Sequence, residues 1–440
     1  MSKRNDDFFA EKKDWSRVKD KLLGAYLPVY FAKVIHTRKP IVYIDCFAGA
    51  GKFTKDDEDG SPRIALKARE MAIAKSTYST PKIDMYFIEP IYADVLQRNL
   101  ADFSSDDGYG KIHVLNDTYE NAVPKILSGI TDANVFLYVD PFGIKYLGNR
   151  IFAEACKSFN GNVELLLNLN SFGFIREACR VTGTNYNGEK IELEERESEV
   201  PIKLSEAIEL LTAIAGGNYW KKIIEDYRND MQKSTAPSLK AEKTFTAVYR
   251  HTLSKSGGGP FAYVLDIPIR IKEGSYPKYR MVHATNHPDG CIEMADNMIK
   301  RADELYRDIQ CQGQPSLFEC DVNQDIKPPE SWIRESLLRI IRNETDSLIV
   351  KFQKWGIENT ISAESRTLPM RLHQIIAMFF CSNGVVCSKK DVIEVLKKME
   401  KDDVIGVTRS PAQTSRGVPS KFWSEDKGKT VFVKIQGARS

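Results

Sequence analysis

Short apolar runs alternate with helix-period segments through the first 170 residues: IVYIDCFA at 41–48, MYFIEP at 85–90, HVLND at 113–117, NVFLYVD at 134–140 and VELLLNLN at 163–170. The runs are nearly continuous in apolar residues, the pattern of strands covered on both faces and therefore of a mainly parallel sheet. Between them lie IALKAREMAIA, ADVLQRNLADF and YENAVPKIL, whose apolar residues recur at helical spacing. The first of these helices is delayed by the polar stretch KFTKDDEDG and opens at Ser61 and Pro62, residues suited to an N-cap and a first turn. Upstream, residues 14–35 predict an amphipathic helix with Trp15, Val18, Leu22, Tyr26, Val29 and Tyr30 near helical spacing, expected to cover the sheet edge. Strands alternating with helices predict an α/β chain with a doubly wound sheet.

The alternation breaks after VELLLNLN. Residues 173–240 read as a polar and helical insertion, either a substrate platform or a helical cap. Two further strands follow, FAYVLDIPI and YRMVHATNH, joined by RIKEGSYPK, a connection of hairpin length that makes the pair antiparallel. The helix CIEMADNMIKRADELY closes a first domain near residue 310, and residues 311–369 read as a proline-bearing linker with one helix, WIRESLLRIIRNE. From 370 the order is helix, short turn, helix, strand, a Gly/Ser/Pro-rich loop and a last strand, which matches a winged-helix module over 370–440. Residues 331–440 carry 19 Lys plus Arg against 12 Asp plus Glu, or +7; the whole chain is +3, so the first 330 residues hold −4. Concentrated positive charge points to nucleic acid, with Lys389, Lys390, Arg409, Arg416 and Lys421 as candidate phosphate contacts. The alternative is a protein-docking module with a solvated basic face.

An acidic residue stands at or just past the end of four successive strands: Asp45, Glu89, Asp117 and Asp140. Ligands of open α/β sheets bind in the crevice at the carboxyl edge, and carboxylates gathered there call for a partner. Each acid alone also suits the cap of a following helix. Gly49 and Gly51 in D-C-F-A-G-A-G allow a tight turn with close access to its backbone. The chain has neither the G-x-G-x-x-G dinucleotide fingerprint nor the G-x-x-x-x-G-K-[ST] phosphate loop. An acid before a D-x-F-x-G-x-G turn suits S-adenosylmethionine. Asp45, Phe47, Gly49 and Gly51 are expected beside its methionine part, Glu89 on the ribose hydroxyls, and Asp117 with Thr118 at the adenine edge.

The combination WSRVKDKLLGAYLPVYFAKV, YIDCFAGAGKF, GSPRIAL, FIEP, VDPFG and ATNHP, spread over most of residues 14–300, resembles the three-Cys-motif partner family of methyltransferase-like proteins. The resemblance implies a class I methyltransferase-like (Rossmann-like) domain and an iron–sulfur partner protein that itself carries the three cysteines. In amino-methyltransferases the equivalent of VDPFG presents a polar residue, proline and an aromatic residue to an exocyclic amine. This makes Asp140 the expected acceptor, Pro141 the stiffener of the turn and Phe142 the stacking ring. D-P-F-G departs from that pattern in lacking a second proline and in carrying Gly143 at the aromatic position. A plain strand-ending turn with Phe142 in the core is the other reading. Asn168 and Asn170 stand at the next strand end, either lining the same crevice or as turn residues.

Other chemistries find little support. His283 and His287 are not joined by a nucleophile and an orienting acid, and no Ser-centred elbow or zincin motif occurs. The eight cysteines contain no C-x-x-C pair; CQGQPSLFEC, with Cys311 and Cys320, reads as a connector, and no metal is assigned. No apolar run approaches the length of a membrane span and the charged start lacks a signal segment, so a cytoplasmic protein without membrane contact is expected. Three functions follow as expectations. They are a methyltransferase acting on a nucleobase of RNA or DNA, a non-catalytic scaffold for an iron–sulfur enzyme, and a DNA-binding regulator.

Overall fold

The computed structural model describes residues 12, 14–55, 57–77, 82–103, 108–148, 150–187, 203–232, 236–269, 277–311, 328–342 and 369–436. The connector around Cys320, most of RIKEGSYPK and parts of the 173–240 insertion lie outside them. The chain divides into two compact units, Met1–Ala262 with Asp266–Asn286, and Tyr263–Leu265 with His287–Ser440.

The first unit is α/β. Its strands are β1 (Ile41–Asp45), β2 (Ile83–Ile88), β3 (Ile112–Leu115), β4 (Asn134–Val139), β5 (Asn162–Leu169), β6 (Tyr263–Ile269, whose first three residues fall to the second unit) and β7 (Tyr279–Thr285). They form one seven-stranded Rossmann-like sheet in the order β3-β2-β1-β4-β5-β7-β6. The five strands from β3 to β5 pair in parallel, whereas β7 runs antiparallel to β5. Lys278 N–H donates to the Ile269 carbonyl where β6 gives way to β7. Every residue of β1 and β4, the central pair, is buried, as expected of strands covered on both faces.

Helix α1 (Asp14–Ile35) lies over the middle of this sheet, which corrects the expected edge position. Leu22, Leu23, Tyr26, Leu27, Tyr30 and Phe31 are all buried, an apolar face too wide for an edge, whereas Val29, expected inside, is exposed. The Tyr26 and Tyr30 rings lie 6.0 and 5.0 Å from Phe136 on β4, and Phe31 lies 6.4 Å from Tyr43 on β1. The Tyr26 hydroxyl donates to the buried Glu164 on β5, whose carboxylate also meets His283 Nε2 at 2.9 Å and Thr285 Oγ1 at 3.1 Å on β7. Period-two alternation places Tyr43, Phe136, Glu164 and His283 on this same face.

Helix α2 (Ser61–Ala74) packs beside α1 and is capped by Gly60, not by Ser61 as expected. The 52–60 stretch folds on itself through Phe53 N–H to the Glu58 carbonyl, and Lys12, Arg17 and Arg63 anchor it through Asp59 and Glu58. Helices α3 (Ala93–Asn99), α4 (Tyr119–Ser128) and α5 (Ile151–Ser158) follow β2, β3 and β4. The insertion is helical where it is described: α6 (Ser171–Val181), α7 (Leu204–Ala215), α8 (Tyr219–Asp230) and α9 (Pro237–Leu253). It is fixed to the opposite face of β7 by a buried ionic chain. Arg280 donates from Nη2 to Glu242 of α9 at 2.8 Å and from Nη1 to Asp266 of β6 at 2.6 Å, Arg250 adds a second cation to Asp266, and Ser171 donates to Glu242. Burial alone would raise the Asp266 carboxyl, but the two guanidinium groups hold it below its ordinary value.

The second unit holds α10 (Pro288–Cys311), α11 (Glu330–Ile341), β8 (Met370–Arg371), α12 (Leu372–Asn383), α13 (Lys389–Lys401), β9 (Ile405–Ser410) and β10 (Thr430–Ile435). Its three strands form a sheet in the order β8-β10-β9, both pairings antiparallel. The amphipathic α10 packs on α12, which explains its place in this unit, and α11 packs on α12, α13 and β10. Ser388 and Asp391 form a capping box that starts α13. Among the described residues, no helix is long and apolar enough to cross a membrane.

Candidate active site at the carboxyl edge of the sheet

Register decides which of the four strand-end acids share a face. Asp45 pairs with Phe87 and Tyr138, and Tyr138 pairs with Leu166, so residues two further along, Glu89, Asp140 and Asn168, project on the face that carries Asp45. Antiparallel β7 brings Tyr279 to the same edge, because Asn168 pairs with Met281. Asp117 is out of step: Phe87 pairs with Val114, which puts Asn116 rather than Asp117 in phase. The Asp117 carboxylate instead accepts from Thr118 N–H and Asn121 of its own helix, with Lys125 at 3.4 Å. The Asn121 bond, then that of Thr118, lowers its pKa. It lines a separate groove of about 550 Å³ with Tyr86, Asn116, Lys125 and Ile130, and Thr118 is exposed.

Asp45 is fully buried. Its carboxylate accepts from the Ser61 hydroxyl at 2.7 Å and from Phe47 N–H at 3.2 Å, which explains why Ser61 is not the helix cap. Burial pushes its pKa up to about 7, only partly offset by the Ser61 and Phe47 bonds, and the negative charges of Asp140 and Asp20 add to the rise. Among the described residues no cation pairs with it. Gly49 and Gly51 carry φ of 61° and 77°, the left-handed region that favours glycine, and a Cβ on Gly51 would meet Leu96 at 2.7 Å. Phe47 is half-buried between the rings of Tyr119 and Tyr146.

Glu89 is 3% exposed and committed to main chain. One oxygen accepts from Gly49 N–H at 2.9 Å, the other from Ile91 and Tyr92 N–H at 2.8 and 3.1 Å. A carboxylate offers about four acceptor positions, so one remains, enough for one hydroxyl rather than two. The acid was legible in the sequence; its role as a staple for the glycine turn was not.

Asp140 is also occupied. Lys19 of α1 donates to both its oxygens at 2.7 Å, Asn168 Nδ2 donates to Oδ1 at 2.7 Å, and the Tyr138 hydroxyl reaches Oδ2 at 3.2 Å. The Lys19 ammonium lies 5.3 Å from the Tyr279 ring. Asp140 is thus a partly buried ion-pair anchor and not an open acceptor for a substrate amine, because all four of its lone-pair positions are taken. Pro141 and Phe142 line a small notch with Gly143, Asn168, Asn170 and Tyr279, and Phe142 is 40% exposed rather than in the core. Nearby Asp20 has its pKa raised to about 6 by burial, against the pull of Lys12 and Lys19. Lys19 and Tyr279 were missed in the sequence: nothing local in WSRVKDKL marks a lysine that pairs 121 residues away.

In the tail, Lys390, Arg416 and Lys421 are exposed and Lys389 is half-buried. Arg409 is not available to a phosphate. It grips Glu400 with both terminal nitrogens at 2.8 and 2.7 Å, donates from Nε to the Phe422 carbonyl and stacks on Trp423 at 5.2 Å. His283 is consumed by Glu164, as described, and His287 is an exposed residue near Asp289. No protein-family model matches the chain, and no curated protein is significantly similar to it.

Proposed function

We propose that the protein is an S-adenosylmethionine-dependent methyltransferase of class I architecture that acts on a nucleobase of RNA or DNA. The observation that carries this reading is Asp45: a fully buried carboxylate with no cation beside it among the described residues, at the switch between β1 and a glycine turn. A ligand ammonium supplies the missing charge and removes the cost of ionising it there. The mainly parallel sheet closed by the reversed β7 fits the class I architecture expected from the sequence and supports the same reading.

The cofactor contributes an activated methyl group, so the protein's task is alignment and exclusion of water. Asp45 and the Gly49–Gly51 turn hold the amino-acid end, and the remaining acceptor position of Glu89 takes one ribose hydroxyl. Phe142 offers an aromatic face to a base. The second unit, in which β8, the helices α12 and α13 and the strands β9 and β10 follow one another, is read as a winged-helix module that presents Lys390, Arg416 and Lys421 to nucleic acid or to a partner.

Calorimetric titration with S-adenosylmethionine tests the reading. Wild-type protein is expected to bind with 1:1 stoichiometry, Asp45→Ala to lose binding, and Glu89→Ala to weaken it about tenfold or more. A folded wild-type protein that gives no heat removes the proposal.

A second reading, a scaffold for an iron–sulfur protein with three cysteines, is favoured by one observation: Glu89 and Asp140 are already largely satisfied within the chain. It predicts no cofactor heat but a stable complex when the two proteins are co-expressed and purified by affinity. Cofactor binding without such a complex contradicts it.

A further inference from the structure

Two thiols meet inside the second unit. Cys291 lies in the first turn of α10 and Cys381 in the last turn of α12, and their sulfurs stand 3.8 Å apart with no bond between them. Ninety residues separate the two along the chain, so no local motif marks the pair. The Cys291 thiol donates its one proton to the carbonyl of Ala377, one turn before Cys381, at 3.8 Å. Its sulfur therefore meets Cys381 with a lone pair. Tyr263 of the same unit shares these surroundings: burial, and after it the charge that Cys381 or Cys291 carries as a thiolate, pushes its hydroxyl up to about 12.

The two sulfurs differ in access. Cys291 is fully buried, whereas Cys381 is half-buried and is, among the six cysteines whose side chains are described, the one that is not buried. An oxidant arriving from solvent therefore meets Cys381 first. Cys291 needs no access of its own, because it already touches the sulfur it is to attack. A disulfide asks for about 2.0 Å between the sulfurs, and the remaining gap is closed by side-chain rotation on two helices that are already packed together.

We infer that Cys381 is an oxidation site and Cys291 its resolving thiol, so that a hydroperoxide closes the pair into a disulfide stapling α10 to α12. In the first step the Cys381 sulfur attacks one oxygen of hydrogen peroxide and the O–O bond breaks. The departing hydroxide leaves with the thiol proton as water, and Cys381 becomes a sulfenic acid. In the second step the Cys291 sulfur attacks the Cys381 sulfur, the S–O bond breaks, and the hydroxyl departs as water with the Cys291 proton. The two thiols lose two electrons and the peroxide gains them. A thiol reductant reopens the bond by exchange, so the staple is reversible. While closed it restricts the unfolded chain and thereby stabilises this unit. Neither S-adenosylmethionine nor nucleic acid enters the inference, which stands apart from the proposed function.

The test treats the full-length protein with hydrogen peroxide, blocks the remaining thiols with N-ethylmaleimide in denaturant, and maps the peptides by mass spectrometry. Wild-type protein is expected to yield a Cys291–Cys381 linked peptide, lighter by two hydrogens than its parts, that dithiothreitol removes. Before oxidation, Cys381 should take up iodoacetamide about tenfold faster than the five buried cysteines. Cys381→Ser, at a partly exposed position, should fold and lose the link. Cys291→Ala, which keeps a small buried side chain, should leave a sulfenic acid on Cys381 that dimedone traps. Hydrogen exchange in α10 and α12 should slow on oxidation of the wild type and in neither variant. The inference is overturned by a Cys381 that peroxide leaves unchanged or carries to sulfinic acid with Cys291 untouched, by a link that appears only after unfolding in urea, or by a Cys381 no more reactive than the buried thiols.

Discussion

Asp45→Asn is expected to stabilise the ligand-free protein at pH 8 by about 4 kcal/mol. Burial carries this carboxyl from 3.8 to about 7. The folded chain then holds the proton more tightly than the unfolded chain, so the stability linked to it is fully present below pH 3.8 and is lost as the pH rises toward 7. At pH 8 the ionised group sits in the crevice without a counter-charge, and the asparagine variant is spared that cost. Thermal melts of both proteins between pH 4 and 8 should therefore coincide near pH 4 and separate steadily above it. Parallel curves across this range would show that Asp45 does not titrate as a buried acid. If the proposed function holds, saturating S-adenosylmethionine should narrow the gap at pH 8, because its ammonium would stabilise the wild-type carboxylate and would have no charge to meet in the variant.

The second large effect belongs to Arg280. Arg280→Leu strands Glu242, which is fully buried and has no other cation among its described contacts, while Asp266 keeps Arg250. Removing one member of a buried ion pair costs about 3–5 kcal/mol, mostly through the charge left behind. Urea unfolding of the variant should show that loss, and Arg280→Leu combined with Glu242→Gln should recover much of it, since the orphaned charge is then gone. A single variant within about 1 kcal/mol of wild type would mean that water reaches Glu242 once the guanidinium is removed. The network ties the helical insertion to the sheet, so the same variant should loosen α9 ahead of β1 and β4 in hydrogen exchange.

The strands were legible because burial on both faces forces continuous apolar runs, and IVYID and NVFLYV admit little else. The parallel pairing of β1 to β5 followed from strand–helix alternation, whereas the order in which the strands lie in the sheet did not. The acids at the carboxyl edge were legible as a group, but their partners were not. Ser61 reads as a helix cap until β1 places Asp45 beside it, and Lys19 reads as one more surface lysine until α1 crosses the sheet. Asp117 illustrates a different limit: the residue type matched, but the phase along β3 put Asn116 on the shared side. Arg409 looked like a phosphate ligand because charge is visible in a sequence and a Glu400 clamp is not.

Glu164 has a consequence for how β7 finds its place. The two neighbours β5 and β7 are separated by more than a hundred residues, and the Leu165–Leu167 stretch alone would welcome several alignments of MVHAT. In the observed alignment His283 and Thr285 meet the carboxylate; shifted by one residue, they turn to the far side and strand it in a greasy interior. An acidic side chain amid aliphatic ones thus works as a proofreading key, accepting the partner strand in a single alignment and making the near-miss the expensive one.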